Sequence, residues 1–350
     1  MIDWTKEMRQ TFEFYEVDPG TWQNVRLLEQ VVSAEITCDD ELPTGGSATF
    51  EASEDVGEVY VRTYLVVEQG GERGAECLGT HMAQTCSDDH DGKSRLLKLE
   101  AYTPLIELKG DCPPLGHHVS AGRLAGDAAA QAAAEHCRAP VDGSPGTVAL
   151  ASHYRCEPDQ TWLDLVTALA AKEGRRPYPT PLGRITFVPG RDAAALAPVW
   201  KFNDDSASIV QPEISHARDY YGVPNRVEVV WSGEAGCLSA VAENHSPDSP
   251  LSIENRGWVW LHRETSPELE NPTQEDVQAY ADGLLAELST VDHEVTYTHG
   301  YVPAVKVGTC VELDLRRAKV RALAVVVSQR IVCGTGCQVE ERAVWTEVML

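Results

Sequence analysis

Cysteine and histidine side chains in the first third of the chain have the chemistry of zinc or iron–sulfur ligands. No two of them have an interval that is diagnostic of a metal motif, and the chain contains no CxxC pair. We therefore predict no metal and no cofactor, and we keep Cys77, Cys86, Cys112 and His117 as the candidate ligands. Together with His81 and His118, these residues could assemble a zinc or iron–sulfur site.

Ten cysteines leave three states open: reduced core residues, disulfides formed in an oxidising compartment, and ligands of a metal or cluster. Cys333 and Cys337 flank Gly334-Thr335-Gly336, and the two glycines would let the chain turn sharply enough to bring the sulfurs together. We predict this pair as a disulfide that fixes a hairpin tip. Cys77 and Cys86, on either side of a polar stretch predicted to be a loop, form the second candidate pair.

The densest acidic cluster is Ser87-Asp88-Asp89-His90-Asp91-Gly92. Carboxylates two residues apart before a glycine are typical of the start of a calcium loop, but the bidentate glutamate that closes such a loop is missing. We predict a solvated turn between strands.

Motifs of catalysis are absent from the sequence. There is no GxSxG serine, no HExxH metal helix and no glycine-rich phosphate loop. Paired carboxylates for glycoside hydrolysis cannot be selected from 54 acidic residues without geometry. We therefore predict no catalytic and no cofactor-binding residues, and a chain that is not an enzyme.

The charge balance excludes two classes of function. Asp and Glu number 54 and Lys and Arg 29, so the formal charge is −25. Such a chain is poorly suited to hold a phosphate backbone and would be repelled by an anionic membrane surface. The apolar run Ala322–Val327 is far shorter than the roughly 20 residues of a membrane helix. The charged N-terminus lacks the apolar stretch of a secretory signal, which predicts assembly in a cytoplasm.

Hydrophobic periodicity predicts a β-rich chain with two or three embedded helices. Two helices carry capping boxes, Thr161 with Asp164 and Thr273 with Asp276, and a third is predicted from the alanine-rich stretch 128–134. Strands are predicted at 58–67, 96–102, 183–189, 225–231, 257–261, 310–315, 322–328 and 342–348.

The composition is that of a globular protein, and the chain is long enough for two or three domains. We predict a mostly β or α+β protein. Residues 1–112 form an N-terminal β-barrel, residues 113–198 an α/β linker domain, and residues 199–350 a second β-barrel region with a helical insertion near 272–289.

Several short segments, in this order, resemble the hub proteins of bacteriophage tail tips and baseplates. The segments are Phe12–Trp22, Glu100–Lys109, the helix at 162–174, Gly183-Arg184-Ile185, Asp219–Asn225 and His299–Pro303 before Val307-Gly308. The chain departs from the family at one turn, where Thr309 follows Gly308 in place of an acidic residue.

The resemblance implies two small β-barrels separated by an α/β segment, in a homotrimer whose barrels form a pseudo-sixfold ring. Its partners would be the tail tube or distal tail ring above, the spike or tip below, and the tape-measure protein in the lumen, with DNA present only in transit. The chain would be assembled in the bacterial cytoplasm and would function in the virion. An acidic lumen would let DNA slide without sticking. The alternatives are a β-rich carbohydrate-active hydrolase and a hub of a related contractile injection system.

Overall fold

Most of the chain folds into β-strands. The structure is a computed structural model and describes residues 2–90, 95–143, 145–190, 196–205, 208–233, 236–265 and 267–350. Strands make up 47% and helices 14%, so the prediction of a mostly β protein with some helix is confirmed.

The chain divides into two compact units. The first contains Met1–Ile214 and Thr296–Ala343, and the second contains Ser215–Val295 and Val344–Leu350. The division into residues 1–112, 113–198 and 199–350 stays a prediction.

The N-terminal strands belong to one large sheet of the first unit. They are β1 (Arg9–Val17), β2 (Asn24–Leu27), β3 (Val31–Asp39), β4 (Gly46–Ala52), β5 (Tyr60–Gln69), β6 (Glu72–His90) and β7 (Arg95–Tyr102). Alternating apolar side chains bury one face of these strands, with Phe14, Ile36, Phe50, Leu65 and Leu99 in the core. Strand β2 is the terminal strand of the sheet and pairs only with β1 among the described strands.

The middle of the chain is helical, with short strands. Its elements are α1 (Ile106–Lys109), β8 (His118–Val119), α2 (Ala125–His136), β9 (Val141–Asp142), β10 (Tyr154–Arg155), α3 (Trp162–Ala171), β11 (Arg175–Pro179) and β12 (Ile185–Pro189). The alanines of α2 allow close packing, and Ala129 and Ala133 share a core with Leu165 and Leu169 of α3. The capping box predicted at the start of α3 is confirmed.

The C-terminal elements complete the large sheet and form the second unit. They are β13 (Trp200–Asn203), β14 (Val210–Arg218), β15 (Arg226–Gly233), β16 (Gly236–Glu243), α4 (Ile253–Arg256), β17 (Leu261–Glu264), α5 (Gln274–Leu288), β18 (Thr290–Gly300), β19 (Cys310–Leu315), β20 (Val320–Cys333) and β21 (Gln338–Val348). Strands β14, β18 and β21 have residues in both units.

The two separate barrels are not confirmed. Within the first unit the strand order is β21-β20-β3-β4-β7-β6-β5-β1-β2, and the described strands do not close into a ring. Strand β20 pairs with β19 through residues 320–325 and with β3 through residues 328–333. Strands from both predicted barrels therefore share one sheet.

The second unit has a three-stranded sheet in the order β16-β15-β17, covered by helix α5. Val229 of β15 packs with Val277, Ala281 and Leu285 of the helix. The capping box predicted for this helix, with Thr273 at its N-terminus, is confirmed.

Two of the predicted elements that differ from the structure are the loop at 77–86 and the strand at 257–261. The segment between Cys77 and Cys86 lies inside the 19-residue strand β6 and is not a loop. Strand β17 begins at Leu261, so Trp258 and Trp260 precede it and are not members of it. In the described part of the chain, no helix combines the length and the apolar content needed to cross a bilayer.

Candidate functional site

The candidate metal ligands do not assemble. Cys77, His81 and Cys86 lie on β6, whereas Cys112 follows α1 and His117 precedes β8. His118, on β8, contacts the ring of a different histidine, His153. Within the described residues, no three His, Cys, Asp or Glu side chains are grouped so that they could hold a metal ion.

Cys333 and Cys337 lie at the two ends of the turn between β20 and β21. Gly336 and Cys337 both have positive φ, 84° and 37°, and the N–H of Cys337 donates to the carbonyl of Gly334 at 3.1 Å. Both cysteines are buried free thiols, and burial raises the pKa of Cys337 to about 12. The disulfide between them stays a prediction.

The structure does not bring Cys77 and Cys86 together. They are nine residues apart on one strand, and at about 3.3 Å per residue this separates them by roughly 30 Å along β6. Disulfides need Cα atoms within about 7 Å of each other. The polar loop on which this pairing depended is absent, because these residues pair with β5 and β7 instead.

The acidic cluster lies at the end of the same strand. Ser87 and Asp88 pair with Lys98 and Leu97 of β7 and so belong to β6, not to the predicted turn. Asp91 and Gly92 lie outside the described residues.

A cavity of about 60 Å³ in the first unit is lined by Cys38, Cys77 and His81 among others. Burial raises the pKa of Cys38 to about 11 and that of Cys77 to about 12, and it lowers the pKa of His81 to about 4. The thiols and the imidazole are therefore neutral at pH 7. A neutral thiol is a poor nucleophile, so this cavity does not have the electrostatics of a cysteine-dependent active site.

Arg62 is 5% exposed and holds three parts of the first unit together. Its Nε donates to Oγ1 of Thr80 at 3.0 Å, its Nη2 to the carbonyl of Leu182 at 3.0 Å, and its Nη1 to Oδ1 of Asn24 at 2.9 Å. Since Asn24 is the first residue of β2, the guanidinium fixes the start of that terminal strand.

A second buried charged group, Glu341, lies in a closed cluster. Its carboxylate accepts hydrogen bonds from Tyr297 Oη and Gln329 Nε2, each at 2.6 Å. Nε2 of His299 lies 3.2 Å from the same carboxylate, and Nδ1 of His299 lies 2.6 Å from the carbonyl of Gly300, which can only accept. Phe202 packs against the rings of Tyr297 and His299. Every face of this cluster is occupied by protein, so its contribution is to stability.

The second unit instead exposes its aromatic groups. We call Tyr221, Arg256, Trp258 and Trp260 the aromatic surface. The two indole centroids are 5.4 Å apart, and the Tyr221 ring meets Trp260 edge-on at 5.2 Å. The guanidinium carbon of Arg256 lies 4.5 Å from the Trp258 ring and 5.5 Å from the Trp260 ring. Tyr221 is 81% exposed and Trp258 48%.

The backbone beneath the aromatic surface is held by buried polar groups. Asn225 is fully buried; its Oδ1 accepts from the N–H of Trp260 at 2.8 Å and its Nδ2 donates to the carbonyl of Trp258 at 2.9 Å. Arg256 donates to the carbonyls of Val223 at 2.8 Å and Tyr220 at 3.0 Å, and burial lowers its pKa. Exposed rings on a fixed backbone lose little entropy on binding, and Trp, Tyr and Arg are the residues that dominate protein interfaces.

Comparison with known proteins finds relatives by structure alone. No family model matches the chain, and no curated protein sequence matches it. A tail protein from Neisseria meningitidis MC58 matches with a TM-score of 0.60 and 17% identity over 96% of each chain. The 43 kDa tail protein of prophage MuSo2 from Shewanella oneidensis matches with a TM-score of 0.62 and 11% identity over 96% of this chain and 98% of its own.

The chain has the fold of a phage tail protein. The resemblance stated from short sequence segments is thereby confirmed at the level of the fold. Because the match covers 96% of the chain, the tail-protein fold includes both units and the helical middle segment.

Sequence reasoning missed the aromatic surface. The alternation Trp258-Val259-Trp260 predicts a strand at 257–261, which is the usual meaning of such a pattern. The signal that could have identified it is the glycine before it, Gly257, which has a φ of 75° and ends helix α4. A helix that ends directly before the first tryptophan leaves no room for a strand to begin there.

Proposed function

We propose that this chain is a structural hub of a phage tail tip or baseplate. The observation that carries the proposal is the match to two tail proteins over 96% of the chain. In the proposed assembly the chain forms a homotrimer, and two barrel-like regions per chain produce a pseudo-sixfold ring that joins the tail tube to the distal tip.

The charge of the chain supports passage of DNA through such a ring. A formal charge of −25 gives a surface that repels phosphates. The acidic residues in excess would face the lumen, so that DNA and the tape-measure protein pass without strong attachment. The tail tube or distal tail ring would bind above and the spike or tip protein below. The chain would be assembled in the cytoplasm of the host and reside at the tail tip of the virion.

A structural role also agrees with the state of the buried titratable groups. The cavity thiols and His81 are neutral at pH 7, and Glu341 is enclosed by protein, so none of them is arranged to act on a substrate. We therefore propose that the chain is not an enzyme.

Size-exclusion chromatography with light scattering tests the assembly. The chain has a mass of 38.2 kDa, so a trimer is expected at about 115 kDa. Electron microscopy of the purified ring should show a pseudo-sixfold outline, and the surface potential of its channel should be negative. A monomer at micromolar concentration that releases sugars from bacterial cell wall would instead support the carbohydrate-active hydrolase.

A further inference from the structure

The aromatic surface lies beside an open strand edge of the second unit. Strand β17 pairs with β15 in parallel register, from Arg226 opposite Leu261 to Val229 opposite Glu264. The N–H of Arg226 donates to the carbonyl of Trp260, and a parallel pair alternates the direction of its backbone groups. The N–H and carbonyl groups of Leu261 and Arg263 therefore point away from β15. No other described strand pairs with β17.

Arg256 adds a charge to this edge that the surrounding protein does not neutralise. Its Nη atoms donate to two backbone carbonyls, and its plane lies over the indole of Trp258. Within the part of the chain that the structure describes, no carboxylate forms an ion pair with it. An occupant of this surface would therefore combine three properties: an extended backbone, apolar side chains on alternate residues, and a carboxylate.

Strand β2 of the first unit and the turn that follows it have these three properties between them. It is the terminal strand of its sheet, and all four of its residues are exposed. Val25 is 61% and Leu27 44% exposed, so β2 presents two uncovered apolar side chains two residues apart, with a register shift against β1 beside Val25. Glu29, two residues further on, is an exposed carboxylate. Apolar side chains on an uncovered edge strand are what native proteins avoid unless another chain covers them.

We propose that the aromatic surface and the open edge of β17 bind strand β2 of a second copy of this chain. The backbone of β2 adds to β17, Val25 and Leu27 cover the indoles of Trp258 and Trp260, and Glu29 neutralises Arg256. Arg62, through Asn24, holds β2 ready for this contact. The contact uses a different patch on each copy, and a contact of this kind produces a closed ring when the rotation from copy to copy closes. The inference rests on the proposed assembly of several copies and names the surfaces that join them.

Photocrosslinking of the full chain locates the contact. Benzoylphenylalanine in place of Val25 should, under light, form an intermolecular adduct whose mass-spectrometric map falls in residues 257–264. The same probe in place of Val241, on the opposite terminal strand β16 of that sheet, is the matched control and should give no such adduct. A trimer by light scattering whose Val25 adduct maps elsewhere would overturn this contact and leave the proposed function intact.

A peptide tests the surface independently of the oligomeric state. The full chain with Val25→Ser and Leu27→Ser cannot supply its own strand, and it should bind a fluorescent peptide of residues 23–30. Trp258→Ala should weaken this binding at least tenfold, whereas Val241→Ala, also an exposed site, should leave it unchanged.

The result of the peptide experiment decides the contact even if the chain is a monomer, which would by itself contradict the proposed function. A glycan is the other class of ligand that exposed indoles can accept. Binding of chitohexaose with no binding of the peptide would overturn the proposal.

Discussion

The Glu341 cluster of the first unit and the aromatic surface of the second contain similar residue types but differ in burial. Each gathers aromatic rings around one charged side chain. Glu341 is 0% exposed and its oxygens face Tyr297, Gln329 and His299, whereas Arg256 is fixed by two carbonyls beneath rings that face solvent. The comparison shows that a polar side chain enclosed by protein, such as Glu341, stabilises the fold. A polar side chain that is held in place beside exposed rings, such as Arg256, is available to bind a partner.

Removal of the Glu341 carboxylate should have the largest effect. Glu341→Ala leaves the hydroxyl of Tyr297 buried without its acceptor, removes one of the two acceptors of the Gln329 amide, and empties the space beside His299. Loss of one member of a buried charged cluster costs about 3–5 kcal/mol of unfolding free energy. Urea unfolding measures it. Glu340→Ala, at the exposed neighbouring position, is the control and should change stability by less than about 0.5 kcal/mol; equal effects would contradict the enclosure of Glu341.

Close packing around Gly183 should give the next largest effect. Its φ is +75°, and a Cβ there would lie 2.8 Å from Cβ of Thr80 and 2.9 Å from Cζ2 of Trp22. We expect Gly183→Ala to cost about 3 kcal/mol, from backbone strain and overpacking together. Gly174→Ala is the matched control, because its φ is +67° with no atom within 4 Å, and it should cost about 1 kcal/mol. Thermal unfolding of both variants would refute the packing argument if their midpoints agreed.

His81 should make the chain less stable in mild acid. Burial lowers its pKa to about 4 in the folded state, while the unfolded chain has a pKa near 6.5. The unfolded state therefore binds the proton first, and stability falls as pH drops from 6.5 towards 4. Between pH 7.5 and pH 5, protonation of this histidine in the unfolded state lowers the free energy of unfolding by about 2 kcal/mol. Urea unfolding at pH 7.5 and at pH 5 measures the loss of unfolding free energy. In His81→Gln this loss should be smaller by about 2 kcal/mol. If the loss between the two pH values is the same in the wild-type chain and in His81→Gln, then His81 is solvated in the folded state.

The aromatic surface should contribute least to stability. Trp258→Ala removes a half-exposed ring and one cation–π contact, which together cost under about 1 kcal/mol. Differential scanning fluorimetry should show a small shift of the midpoint, in contrast with Glu341→Ala. A loss as large as that of Glu341→Ala would mean that the indole is part of the core.

Local signals in the sequence predicted local structure well. Strand β19 has the predicted bounds, Cys310–Leu315, and the capping boxes at Thr161 and Thr273 are present, because a cap depends on residues three positions apart. Part of strand β6 has the polar sequence of a loop. Its strand structure depends on backbone pairing with β5 and β7, which a local sequence window does not contain. The aromatic surface was missed for the same reason, since Asn225 fixes the tryptophans from 33 and 35 residues away.

The double pairing of strand β20 has a mechanical consequence. One uninterrupted backbone carries β19 on its first half and β3 on its second. The hydrogen bonds of antiparallel strands lie across the strand direction, so a pull along β20 loads each row of bonds simultaneously and does not open them one after another. Tension applied to β20 at the end that pairs with β19 would be carried along its covalent backbone to the end that pairs with β3. The hydrogen bonds of each pair would therefore share the load. A strand shared in this way makes the sheet stiff to stretching along that axis.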